Sequence, residues 1–309
     1  MHPKPFYQNI LRLLLLFVGF NILGTIVTFI LLRSLFNVDA ISVLNSINSV
    51  DVESGSINAL KFMQFIQVFF SFIIPANLFA KQQSGSGIAE YLKLNTTSWK
   101  HFAIGFVFIF AISPLVSFTS SLNELISFPD ILSSVETFFR NQQTQAERFS
   151  NLFLRDNTGK DLLINLFVVG FLAAISEELF FRGVLQKILI ERIKNIHLAI
   201  FACALLFSAL HQEFYALIPR VLLGMLLGYA YVYSNSLWVP ICIHFVNNAT
   251  AVILDSLYKQ GFTSFNPNSN EYFGLTGLLI SLIATITLFW YWKKNKAPSI
   301  AIIYGERLD

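Results

Sequence analysis

Two adjacent carboxylates and an arginine interrupt an apolar stretch at Ala174-Ile175-Ser176-Glu177-Glu178-Leu179-Phe180-Phe181-Arg182. Farther along, Phe207-Ser208-Ala209-Leu210-His211 closes an uncharged run that begins at Leu198. A third group, His244-Phe245-Val246-Asn247-Asn248, sets a histidine four residues ahead of an amide within an apolar run from Leu237 to Leu254. Ionisable groups at bilayer depth cost a few kcal/mol each and mark function more often than packing. On a helix Glu178 and Arg182 share a face and can pair, whereas Glu177 is turned about 100° away and faces something else. His244 and Asn248 share a face by the same spacing.

A carboxylate and an imidazole within reach of one water suit hydrolysis of a carbonyl group. Glu177 takes the proton as water attacks, and His211 orients that water or returns a proton to the leaving amine. His244 and the Asn248 amide supply hydrogen bonds to the oxyanion that develops. Glu177, His211 and His244 equally make a one-carboxylate, two-imidazole zinc set with an open position for water. The residue types leave both schemes open, and zinc is the cofactor they suggest. Taken singly, the Glu177-Glu178-Arg182 group also reads as a solvated helix end, and His211 as a hydrogen-bonded packing residue.

Elements that position these groups must lie in lipid. Of 309 residues, 55% are hydrophobic, 33 are Phe and only 13% are charged, about half the charged share of a soluble domain. About 20 apolar residues cross a bilayer, and that template finds eight candidates: 10–32, 62–80, 101–118, 162–190, 198–215, 219–233, 237–254 and 273–292. The expected fold class is all-α, a polytopic membrane bundle of about eight transmembrane helices, forming one domain over 1–309 with its catalytic core in 162–254. The segment 119–160 is expected outside the bundle as amphipathic helix, since Leu132, Val135, Phe138 and Phe139, then Phe149, Leu152 and Phe153, recur at helical spacing. Pro240 is expected to kink its helix. Gly224 and Gly228 are expected to admit a close neighbour.

Depth reckoned at 1.5 Å per residue puts Glu177 about 22 Å from Arg192 and His211 about 21 Å from His197, so the two can meet. His244 lies only about 10 Å from the start of its run, a mismatch. Cys203 and Cys242, both in apolar runs without metal or redox spacing, are expected to be buried packing residues. The formal charge of +3 is small and no basic run resembles a nucleic-acid patch. The expected partners are the lipid bilayer and a peptide or protein substrate within it, not nucleic acid. Lysine and arginine fall preferentially in the segments that lie inside when the N terminus is inside. Both termini are therefore expected on the cytoplasmic face of what is read as a prokaryotic cytoplasmic membrane.

Taken in order, Glu177-Glu178…Arg182, Phe207…His211 and His244…Asn248 resemble the motifs of the CAAX prenyl endopeptidase and bacteriocin-processing (CPBP) family of intramembrane proteases. The likeness covers about 170–250. It implies an all-helical membrane peptidase, with Glu177 and His211 similar to the water-activating pair, His244 and Asn248 similar to the oxyanion-stabilising pair, and Glu178 and Arg182 at supporting positions. Two further readings use the same polar pocket: a non-catalytic immunity or binding protein, and a proton-linked carrier. Neither the substrate nor its prenylation follows from the motifs.

Overall fold

The computed structural model describes residues 5–46, 54–85, 87–155, 158–267 and 274–297, and every regular element among them is helical. Seven helices are long and apolar enough to cross a membrane. They are α1 (Phe6–Phe36), α2 (Gly55–Gln83), α3 (Trp99–Glu124), α5 (Gly159–Ile193), α7 (Phe214–Ser234, opening with one 3₁₀ turn), α8 (Trp238–Lys259) and α9 (Gly274–Lys294). The surface helix α4 (Ser133–Phe153) stands between the third and fourth of these, and the short α6 (Ile196–Leu210) follows α5. The all-α bundle expected from the sequence is the observed architecture. Lys4 and Arg307, which entered the reading of orientation, lie outside the described residues.

The fifth expected span, 198–215, is the one that differs. Its helix has 15 residues, about 22 Å at 1.5 Å per residue, against a hydrocarbon core of about 30 Å. The helix stops because Gln212 takes a left-handed conformation (φ 59°) and the chain then turns through Phe214–Ala216. That turn is held from α3. The buried Asn123 donates through Nδ2 to the Phe214 carbonyl (3.0 Å) and accepts at Oδ1 from the Ile218 N–H (2.9 Å). Irregular backbone inside a membrane protein survives only where its polar groups find such partners.

Helices α5 to α8 make the core, with Trp292 of α9 inserted against Phe108 of α3 and Tyr233 of α7. By contrast α1 and α9 turn residues such as Leu15, Ile30, Leu275 and Ile283 outward. On a helix with no polar face such exposure is the signature of contact with lipid. Pro114 sits within α3, where it leaves the carbonyl four residues back without its N–H. Ser113 Oγ supplies that donor to Phe110 O (3.0 Å). Beside it, Ser281 of α9 accepts from the Leu115 N–H and donates to the Ala111 carbonyl, tying α9 to α3 at the break.

The pair Gly224 and Gly228 does admit a close neighbour. A Cβ on Gly224 would meet Ala204 at 3.0 Å, and one on Gly228 would meet Ile200 at 2.7 Å. The α6 backbone can therefore lie directly on α7. Two corrections concern single residues. Pro240 falls in the first turn of α8, where its missing N–H has no intrahelical acceptor, so no kink is required of it. Cys203 is buried as expected, but Cys242 is exposed on the outside of the bundle.

Helix α4 divides its apolar residues. Phe139 stacks on Phe214 (4.9 Å) and Phe128 (6.0 Å), and Phe149 and Leu152 pack against the small cluster around Leu32 and Leu60. Leu132, Val135 and Phe138 stay exposed. The helix thus both packs on the bundle and offers an apolar edge outward.

Candidate active site

The carboxylates of α5 sit in a short α-helical stretch, Ala173–Phe180, flanked by π-helical turns at Leu166–Leu172 and Phe181–Leu185. Such turns alter helical phase locally and concentrate at functional sites. Glu178 and Arg182 are both fully buried, with Arg182 Nη1 donating to Glu178 Oε1 at 2.8 Å. The pairing expected from their spacing is present. Arg182 also donates through Nη2 to the Gly224 carbonyl (3.0 Å) and lies 4.9 Å from the Phe207 ring centroid. Four residues on, Gln186 repeats the pattern by donating to the Gly228 carbonyl (3.1 Å). The small residues of α7 therefore serve α5 too, by exposing two carbonyls to its polar side chains.

His244 joins this buried pair. Its Nδ1 lies 2.9 Å from the same Glu178 Oε1, and because that carboxylate only accepts here, Nδ1 carries the hydrogen. Its Nε2 is turned toward Glu177 Oε2 at 3.8 Å, beyond direct hydrogen-bond length and close enough for one bridging group. Glu177, rotated away from Glu178 as helical phase requires, is less deeply buried and faces a cavity of ≈190 Å³.

His211 lines the same cavity. It caps the C-terminal end of α6 and its Nδ1 lies 2.9 Å from the Phe207 carbonyl, an obligate acceptor. The Nδ1 position again holds the hydrogen, which leaves Nε2 of neutral His211 with its lone pair. Asn248 reaches the cavity as well, although one of its two amide hydrogens is committed to Val169 O (3.0 Å) in the first π turn of α5. Its Oδ1 accepts from Asn247 Nδ2 at 3.2 Å. All six residues singled out in the sequence thus belong to one neighbourhood: Glu177, His211, His244 and Asn248 on the cavity, Glu178 and Arg182 beneath His244.

The depth mismatch of His244 disappears because α8 starts inside the protein. The turn before it is buried through Ser234, Ser236 and Leu237. The segment 93–97 covers it, with Lys93 O accepting from Leu237 N (2.8 Å), Asn95 O from Ser236 Oγ (2.7 Å) and Ser234 O from Thr97 Oγ1 (2.9 Å). Burial in this segment shifts two groups: the Lys93 ammonium is held below its ordinary range, and the Tyr91 hydroxyl above its own.

Two polar cavity residues escaped the sequence reading. Asn247 was passed over because only the four-residue spacing of His244 and Asn248 carried a signal. Arg220, at the start of the expected span 219–233, drew no reading of its own, and it stands in the first turns of α7 and lines the cavity. No group of three His, Cys, Asp or Glu side chains among the described residues is disposed to hold a metal ion. Glu177, His211 and His244 share the cavity without forming such a set.

A family model described as type II CAAX prenyl endopeptidase, Rce1-like, matches residues 159–250. The matched segment opens at the start of α5 and closes just past Asn248, so it contains every residue of the cavity except Ile109 of α3. The Rce1-like match supports a CAAX-type endopeptidase acting in the membrane, and the seven apolar helices make the chain an integral multi-pass membrane protein. No curated protein and no solved structure matches the chain.

Proposed function

We propose that this protein hydrolyses a peptide bond of a membrane-associated protein or peptide with a water molecule activated by Glu177 and His211. The observation that carries the proposal is that Glu177, His211, His244 and Asn248 share one small cavity and all fall within the matched segment. At about 30 Å³ per water, a cavity of ≈190 Å³ has room for a reacting carbonyl group, the atoms beside it and the attacking water. Glu177 accepts the proton as water attacks. The Nε2 of His211 orients that water by accepting a hydrogen bond from it, and the proton taken by Glu177 passes to the departing amine as the C–N bond breaks. The remaining Asn248 amide hydrogen faces the developing oxyanion, and His244, whose Nδ1 hydrogen is held by Glu178, donates to it from Nε2 as the imidazolium. Glu178 and Arg182 fix His244 from below: the carboxylate orients its ring and the guanidinium balances the carboxylate.

The reading of both termini as cytoplasmic belongs to this proposal and is checked by reporter fusions at each end. Roles are tested with purified variants in liposomes, against a substrate chosen by comparing membrane proteomes of wild-type and Glu177→Ala cells. Glu177→Gln and His211→Ala are each expected to lower the cleavage rate by about 10²–10⁴-fold, the range of a lost general base or acid, with the fold retained. Undiminished cleavage in either variant refutes the roles. A phenotype that survives both would favour the non-catalytic immunity or binding reading. Proton flux abolished by Glu177→Gln would favour a carrier.

A further inference from the structure

Hydrolysis consumes one water per turnover, and the catalytic cavity lies among five helices, α3 and α5 to α8, in a bundle set in lipid. The turn that follows His211 also lines a second cavity, of ≈630 Å³. Glu213 and Tyr215 reach it from that turn, Ser120 and Glu124 from α3, and Gln143 and Asn151 from α4. All of its lining side chains except two alanines carry polar atoms. Glu147, Ser150 and Asn151 are exposed, so this cavity opens at the surface of α4. A roomy space with several polar partners beside an open rim holds water.

One contact joins the two cavities. Arg220 lines the catalytic one and Glu213 the polar one, and Arg220 Nη2 donates to Glu213 Oε2 at 3.1 Å. The pair therefore stands where their walls meet. Both side chains are about one-fifth exposed, and an ion pair that solvent reaches is weakly held. The frame around it is firm. Asn123 fixes the backbone of the turn through the Phe214 carbonyl and the Ile218 N–H. Phe139 stacks on Phe214, and the Arg140 guanidinium lies 4.1 Å from the Tyr215 ring centroid. The two charged side chains can thus part by changing rotamer, a fast motion where solvent reaches them, while the turn and α4 stay in place. Next to Arg220 the catalytic wall continues as Leu223 and Leu227, about one and two turns along α7, which leaves the pair as the polar break on that side.

We infer that the polar cavity under α4 is the aqueous antechamber of the catalytic cavity, and that the Glu213–Arg220 pair is the gate through which water reaches Glu177. The use made of the water rests on the proposed peptidase reading; the route does not. Nothing larger than water need pass, so a change of rotamer in one ion pair suffices. The water consumed at Glu177 is replaced from the antechamber after each cleavage.

The test reads access, not turnover. Cysteine replaces Leu223 on the catalytic wall, or Asn151 on the antechamber wall, in protein that also carries Cys203→Ala and Cys242→Ala. In nanodiscs the thiol is exposed to Ag⁺, a probe close to water in size that is excluded from lipid, and the thiol left after timed quenching is measured. Asn151→Cys should react fast whether or not the pair is intact. Leu223→Cys should react slowly, and about fivefold faster when combined with Glu213→Ala, the factor set by freeing a partly exposed ion pair. Loss of a carboxylate alone would draw less Ag⁺, so acceleration reports the opened gate and not the altered charge. Ala146→Trp, which fills the antechamber, should slow the reaction of Leu223→Cys. If Ala146→Trp does not fold, Ser150→Trp at the exposed rim takes its place. An unreactive Asn151→Cys, or a Leu223→Cys rate unchanged by Glu213→Ala or by the tryptophan, overturns the route. Gated access in a protein that cleaves nothing would leave the route standing and refute the peptidase reading, and cleavage beside ungated access would do the reverse.

Discussion

Replacing Arg182 by Met should cost far more stability than replacing Arg182 and Glu178 together. In the single variant the Glu178 carboxylate, fully buried, loses its 2.8 Å partner and keeps only His244. Breaking a buried ion pair from one side costs about 3–5 kcal/mol, because the other charge is left uncompensated. The lost donor to Gly224 and the lost cation–π contact with Phe207 fall within that range and do not add to it independently. In Arg182→Met with Glu178→Leu no charge is stranded, and apolar replacement of a buried pair is often neutral or stabilising. The Gly224 carbonyl and the Nδ1 hydrogen of buried His244 are then orphaned, at about 1 kcal/mol each. The double variant should therefore lie within about 2 kcal/mol of the wild type, while cleavage falls because His244 has lost the acceptor that orients its ring. Unfolding equilibria in bicelles measure the stabilities, and the liposome assay measures cleavage. If both variants lose stability equally, the cost is one of packing and not of stranded charge. Full cleavage by the double variant would refute the tie between Glu178 and His244.

Three further outcomes are expected. Gly228→Ala places a methyl 2.7 Å from Ile200 and 2.8 Å from Gln186 Oε1, so the same unfolding assay should register about 1–3 kcal/mol of overpacking. Asn123→Ala removes both bonds to the turn after His211, and should cost about 1–3 kcal/mol through an unmet backbone group and lower kcat. An unchanged melting curve and kcat would show that the turn is held by other contacts. The Phe128 N–H and the Arg140 guanidinium hold the Glu136 carboxyl below the usual carboxylate range. A lowered folded-state value means that its contribution is complete above the ordinary value and is lost as pH falls through the lowered one. Spin labels beside Phe128 and on α4 should therefore separate on acidification below about pH 4, and Glu136→Gln should remove the pH dependence.

Much of this architecture could be read from the chain because lipid imposes one demand, a long apolar helix, that shows in composition alone. The Glu178–Arg182 pair was legible for a similar reason, since both ends lie on one helix at a fixed spacing. What the chain did not disclose depends on contacts between distant segments. The bond from His244 to Glu178 spans 66 residues, and it forms because segment 93–97 buries the turn before α8. The π turns around Glu177 leave no mark in residue type, as their phase is set by packing against α8 and the Asn248 amide. The overlong fifth span has a plain cause: hydropathy does not register the left-handed Gln212 that ends α6 at His211. Arg220 carried no signal because nothing in the sequence shows that the first turns of α7 lie against the cavity.

The most direct test of Glu177 as the base is a comparison of protein termini in membranes from cells expressing the wild type, Glu177→Gln or Arg220→Gln at equal levels. A catalytic Glu177 predicts a set of new termini, at sites within or beside membrane segments, that are present with the wild type and absent with Glu177→Gln. The same termini appearing undiminished with Glu177→Gln would contradict it.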